Sequence, residues 1–164
     1  MATRSRAAPE QVSLITKAVR DFTLPGTGGK TFRLSESKAK ALVLYFYPKD
    51  NTPGCTREGE NFRDLYAQFR KAGAEIHGIS RDSLKSHENF KAKMAFPFEL
   101  LSDEAEKACT LFGVIKLKNM YGRQVRGIER STFVLDAQHV IRREWRAVKV
   151  PGHAQEVLDF VKKL

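Results

Sequence analysis

Cysteine is scarce in this sequence: two residues among 164 make no disulfide framework, so each thiol is read for reactivity rather than stapling. No stretch approaches the ~18 consecutive apolar residues of a membrane span, and the first residues lack the apolar core of a signal peptide. A cytoplasmic protein with no membrane association is therefore expected. No C-x-x-C pair occurs, which excludes the dithiol chemistry of a thiol–disulfide oxidoreductase. His77, His87, His139 and His153 stand at no ligand spacing with one another, with the cysteines or with carboxylates, so no metal and no other cofactor is expected. Acidic residues are in deficit as well, 19 against 29 Lys and Arg, for a formal net charge of +10. That balance, with Arg142, Arg143, Arg146 and Lys149 near the C-terminus, raises the alternative of a nucleic-acid-binding module. Glu129, Asp136 and Glu144 interrupt the basic run, however, and no helix-turn-helix, zinc-finger or RNA-binding signature is present. A solvated basic surface is the reading, with no nucleic-acid partner.

What remains is the text of one α/β domain. Residues 1–18 carry no periodic apolar pattern and are expected to form a flexible N-terminal arm rather than a transit peptide, with the domain proper at 19–164. FTLPGTGGKTFRL, from Phe22, places two short β-like runs around a turn-forming cluster. Ala41–Tyr47 is a continuous apolar and aromatic run, the pattern of a strand covered on both faces. Phe62, Leu65, Tyr66 and Phe69 then recur at helical spacing within 56–71, before Gly73. A second strand is expected over Glu75–Ser80, a helix capped by Asp82 or Ser83, and a short strand over Glu99–Leu101. A helix capped by Ser102 or Asp103 should follow, with Ala105, Ala108, Cys109 and Phe112 on one face. A hairpin of Ser131–Leu135 and Val140–Trp145 and a last helix from Gly152 complete an α/β sandwich around a mixed sheet.

The chemistry is concentrated in PKDNTPGCTRE, residues 48–58, between the buried strand and the first helix. Cys55 stands at or just inside the helix N-terminus, where unpaired amides and the helix dipole favour an anion such as a thiolate. Its neighbours are polar and turn-forming, unlike those of an inert core cysteine.

Pro48, Thr52 and Cys55 spell P-x-x-x-T-x-x-C, and here the sequence resembles the peroxiredoxins. YFYPKDNTPGCTRE, with RDSLKSHENF, FGVIKLKNMYGRQ and GIERSTFVLD, is similar to the peroxiredoxin Q, or bacterioferritin comigratory protein, branch. The resemblance runs from about Asp21 to the C-terminus. It implies a thioredoxin-like fold, a central mixed β-sheet flanked by helices, with an N-terminal β-hairpin extension. It also implies a monomeric thiol peroxidase acting on hydrogen peroxide and organic hydroperoxides. By the same resemblance Cys55 is the peroxidatic cysteine, Thr52 the hydroxyl that holds the peroxide, and Pro48 the ring that shields the site. Arg130 is the arginine beside the thiolate, and Glu58 the acid that orients it. The chemistry asks for such groups: attack on the O–O bond expels an alkoxide or hydroxide, so the site must align two oxygens and stabilise negative charge.

The sulfenic acid formed on Cys55 must then be reduced by a thiol. The positions at which the resemblance would put a resolving cysteine hold Glu60 and Lys91. The second thiol, Cys109, lies at core spacing in its helix and is expected to pack. The reading is a one-cysteine mechanism with an external thiol reductant (thioredoxin, glutaredoxin or glutathione). The alternative is an atypical two-cysteine enzyme with Cys109 as resolving thiol.

Overall fold

The computed structural model describes residues 11–164. In chain order the elements are β1 (Thr23–Pro25), β2 (Thr31–Arg33), β3 (Ala41–Phe46), α1 (Pro53–Lys71), β4 (Ala74–Ser80), α2 (Leu84–Met94) and β5 (Glu99–Ser102). There follow α3 (Lys107–Phe112), β6 (Ile115–Met120), β7 (Arg123–Ile128), β8 (Ser131–Asp136), β9 (Ile141–Trp145) and α4 (His153–Lys162). Five strands form one mixed sheet in the order β5-β4-β3-β8-β9. β3 runs parallel to β4 and antiparallel to β8, so it lies in the middle of the sheet.

That position explains the unbroken apolar run of β3. Val43, Tyr45 and the following Tyr47 join one core with Phe62 and Phe69 of α1 and Val157 and Leu158 of α4. Leu42, Leu44 and Phe46 enter the opposite core with Cys109 and Phe112 of α3. Each such side chain contributes ~1.5–3 kcal/mol by leaving water. Cys55 belongs to the first core and Cys109 to the second, on opposite faces of the sheet. α1 presses closely on its neighbours: a Cβ at Gly59 would lie 2.3 Å from the Phe96 ring, a contact only glycine permits.

The N-terminal pair β1–β2 is antiparallel and forms its own small sheet, as the turn-rich text predicts. Three features depart from the expectation. The arm assigned to 1–18 falls outside the described residues for its first ten positions, but it does not extend to residue 18. Thr16 N donates to Ile141 O at 2.7 Å and Ile141 N donates to Lys17 O at 2.9 Å. These bonds lay the chain along β9, which would otherwise present an unpaired edge. The third helix is shorter than its pattern suggests. Asp103 does cap it, accepting from Lys107 N and Cys109 N at 2.8 Å each, but a turn intervenes and Ala105 is exposed outside the helix. The hairpin β6–β7 was not anticipated at all. Its two-residue turn, Tyr121 and Gly122, has positive φ at both positions, 52° and 77°, the twist that suits a tight hairpin. Glu106 anchors it, accepting from Arg126 and, at 3.1 Å, from Arg81.

Candidate active site

β3 delivers the chain to the site loop at Pro48, which is half-buried. The next residues are held from the far side by a buried polar clamp. The Asp50 carboxylate accepts from Tyr47 O–H at 2.7 Å and from Ser86 O–H at 2.8 Å, and lies 2.7 Å from His87 Nδ1. His87 Nε2 donates to Leu101 O at 3.0 Å, and Asp50 N donates to Asp82 at 3.0 Å. In the sequence His87 shows only that it stands at no ligand spacing, and Asp50 shows nothing beyond its place in the loop. A buried carboxylate with several donors fixes the loop against α2, a role that spacing alone does not reveal. Asp50, Asp82 and His87 also bring ligand-type atoms within 4.8 Å of one another, but protein hydrogen bonds already account for their arrangement.

Asn51 takes φ 60°, a left-handed turn that asparagine tolerates well, and Thr52 becomes the N-cap of α1, with Pro53 in its first turn. Thr52 O–H donates to Lys49 O at 2.8 Å instead of capping the helix. With its proton so engaged, the hydroxyl keeps its lone pairs free to accept. The first helical amide to find a partner is Thr56 N, bonded to Thr52 O at 2.9 Å. The amides of Gly54 and Cys55 thus belong to the unpaired first turn, with the positive end of the dipole around the sulfur.

Cys55 is buried, 1% exposed. Arg130, just beyond β7, donates from Nη2 to Cys55 Sγ at 3.4 Å and from Nη1 to Glu58 Oε1 at 2.7 Å. Gly54 makes room for it: a Cβ there would stand 3.0 Å from Arg130 Nη2. Burial pushes the Glu58 carboxyl up to about 7 in spite of the opposing Arg130 charge. Its Oε2 is buried with no hydrogen-bond partner among the described residues. Burial works against the Arg130 charge too, but its contacts with Glu58 and Cys55 outweigh it and hold the guanidinium above its ordinary value. Of the five residues singled out in the sequence, Cys55, Glu58 and Arg130 are thus in direct contact. Thr52 shares the first turn with Cys55, and Pro48 begins the same loop.

Cys109 stands elsewhere in every sense. Burial, joined by the Asp103 carboxylate, pushes its thiol far above the usual range, so it is no nucleophile where it sits. Of the basic residues near the C-terminus, Arg146 donates to the Phe112 and Gly113 carbonyls at 2.9 and 3.1 Å, and Arg143 lies over the Trp145 ring.

A thiol at a helix N-terminus with a guanidinium on its sulfur, set on this sheet, defines a thiol peroxidase, and comparison with known proteins agrees. Residues 15–144 match the AhpC/TSA family. Peroxiredoxin Bcp of Xanthomonas campestris is 54% identical over 145 residues, 88% of this chain and 91% of that protein. Peroxiredoxin Bcp of Bacillus subtilis is 46% identical over 144 residues, covering 88% and 92%. A solved structure of Xanthomonas campestris bacterioferritin comigratory protein, described for its alkyl peroxide reduction activity, superposes with a TM-score of 0.83 at 53% identity, covering 87% of this chain and 90% of that one. The chain belongs to the AhpC/TSA family and has the thioredoxin-like peroxiredoxin fold of the peroxiredoxin Q and bacterioferritin comigratory proteins. It is a peroxiredoxin, and its substrates are peroxides and a reducing thiol. Among the described residues no helix is long and apolar enough to cross a membrane.

Proposed function

We propose that Cys55 is the peroxidatic nucleophile of a one-cysteine mechanism and that the sulfenic acid it forms is reduced by an external thiol, from thioredoxin, glutaredoxin or glutathione. The observation that carries this reading is the Arg130 guanidinium 3.4 Å from Cys55 Sγ, while Cys109 packs on the other face of the sheet. The Cys55 sulfur attacks one peroxide oxygen, the S–O bond forms as O–O breaks, and the departing oxygen leaves as an anion that takes a proton. Arg130 and the free amides of Gly54 and Cys55 stabilise the charge that develops. Thr52 accepts from the peroxide hydroxyl and aligns it, Glu58 orients Arg130, and the Pro48 ring keeps water from the sulfur. The alkyl peroxide reduction described for the Xanthomonas protein supports organic hydroperoxides beside hydrogen peroxide as substrates. A monomer in the cytoplasm completes the reading.

Intact mass after one equivalent of peroxide, with and without a trapping thiol, tests it. The expected product gains one oxygen, or one molecule of the trapping thiol as a mixed disulfide, and Cys55→Ser shows neither. A loss of two hydrogens, marking a bridge to Cys109, would overturn the one-cysteine mechanism.

A further inference from the structure

Glu58 is more than a bracket for the arginine. We propose that Cys55 and Glu58 hold one dissociable proton between them across Arg130, so that the peroxide-reactive site pairs a Cys55 thiolate with a neutral, protonated Glu58, and that loss of the Glu58 proton turns the site down. The proposal rests on Cys55 being the nucleophile.

The geometry sets one cation between two acidic groups. Arg130 reaches Sγ with one nitrogen and Oε1 with the other, and Cys55 and Glu58 are each only 1% exposed. One anion beside Arg130 leaves the pocket neutral; two leave a net negative charge out of water, which is costly. Among the described residues no neighbouring element supplies a second cation to offset it. From β3 the Tyr45 phenol, raised far above its ordinary value by burial, is neutral. From α4 His153 is pushed down to about 4 by burial and is neutral at working pH, with Glu156 outside it. β8 offers only the Thr132 hydroxyl, which meets His153 Nε2 at 2.7 Å. Asp50 and His87, at the α2 side, are hydrogen-bonded to each other.

The two acids are not equivalent hosts for the single negative charge. The sulfur lies in the unpaired first turn of α1, where the dipole assists an anion. Glu58 is a turn further on, and its Oε2 has no donor; a charged oxygen there is left uncompensated, whereas a protonated one is tolerated far more easily. The proton therefore resides on Glu58 while the sulfur is ionised.

The reaction balances on this basis. Thiolate and ROOH give a sulfenic acid and RO⁻, with sulfur oxidised by two electrons and the O–O bond reduced. RO⁻ takes up one proton and becomes ROH. With the sulfur now neutral, Glu58 is alone beside Arg130 and releases one proton, so the pocket is neutral before and after.

The rate of Cys55 oxidation by hydrogen peroxide in a single turnover, measured from about pH 5 to about pH 9, tests the proposal. Wild type is expected to give a bell whose alkaline side falls by about fivefold, and Glu58→Gln, which cannot ionise, is expected to lose that descending limb. Infrared difference spectra of wild type before and after one equivalent of peroxide supply a readout independent of any variant: the band of a protonated carboxyl should vanish on oxidation. A wild-type profile without an alkaline limb, an identical limb in Glu58→Gln, or no change in the carboxyl band would overturn it. Peroxide oxidation that survives in Cys55→Ser would instead refute the nucleophile itself, a distinct failure.

Discussion

At Arg130 a single guanidinium serves two buried acceptors, and its removal separates their roles. Arg130→Ala strips Cys55 Sγ of its side-chain donor and leaves the developing oxyanion without its cation, so oxidation of Cys55 by peroxide should slow by ~10²–10³. Arg130→Lys retains a charge but not the fork that spans 2.7 Å to Glu58 and 3.4 Å to sulfur, and should fall between. A stopped-flow rate for the alanine variant within threefold of wild type, roughly 0.6 kcal/mol, would remove Arg130 from the reaction. Thr52→Val tests a smaller effect. The N-cap makes no side-chain cap bond, so the helix keeps its start, and the lost bond to Lys49 O costs about 1 kcal/mol of stability. Peroxide turnover should drop about tenfold through poorer alignment. Unchanged kinetics with a lowered melting point would make Thr52 a loop residue only. At this scale PKDNTPGCTRE and GIERSTF display the groups around the sulfur, whereas Asp50 and His87 left no trace. A polar residue in a polar loop and a histidine one turn before Phe90 look alike whether they meet or not.

Between elements, the obstacle to an internal disulfide is the sheet itself. A bridge needs Cα atoms about 4.4–6.8 Å apart, yet Cys55 and Cys109 enter opposite cores. Unwinding the first turn of α1 would break few bonds, a feasible local opening. Freeing Cys109 would take with it Ala108 and Phe112, both buried, and sever the Asp103 bonds to Lys107 N and Cys109 N. Each buried side chain exposed costs ~1.5–3 kcal/mol, so several such terms oppose the movement together. Cys109→Ser should therefore keep its turnover with an external thiol while losing about 1–2 kcal/mol of stability from a polar group in an apolar site. Non-reducing peptide maps of oxidised wild type should show no Cys55–Cys109 peptide, and its detection together with a dead Cys109→Ser variant would reverse the mechanism. The elements that a strong period marks, β3 and α1, stand where their patterns place them. β6 and β7 escaped because IKLKNM and RQVRGI are mostly solvated on both faces, so neither strand carries a buried stripe. The one usable signal was Tyr121-Gly122 as a two-residue turn.

For the molecule as a whole, two buried groups give stability opposite slopes with pH. Glu58 is raised from an ordinary value near 4.5 to about 7, so its folded form binds the proton more tightly. The stability it contributes is complete below about pH 4.5 and declines as pH rises through 7, by up to about 3 kcal/mol. His153 is depressed from 6.5 to about 4; its contribution is present above pH 6.5 and lost as pH falls through 4. Urea unfolding at several pH values separates the two. The stability of Glu58→Gln minus that of wild type should grow in the variant's favour between pH 4.5 and pH 8, because only wild type must ionise a buried carboxyl. His153→Gln should blunt the wild-type loss between pH 6.5 and 4, because no buried ring is left to take up a proton, while its alkaline behaviour stays that of wild type. Curves for either variant that run parallel to wild type through its own window would mean that the group titrates alike in folded and unfolded chains, and the burial argument for it would fail.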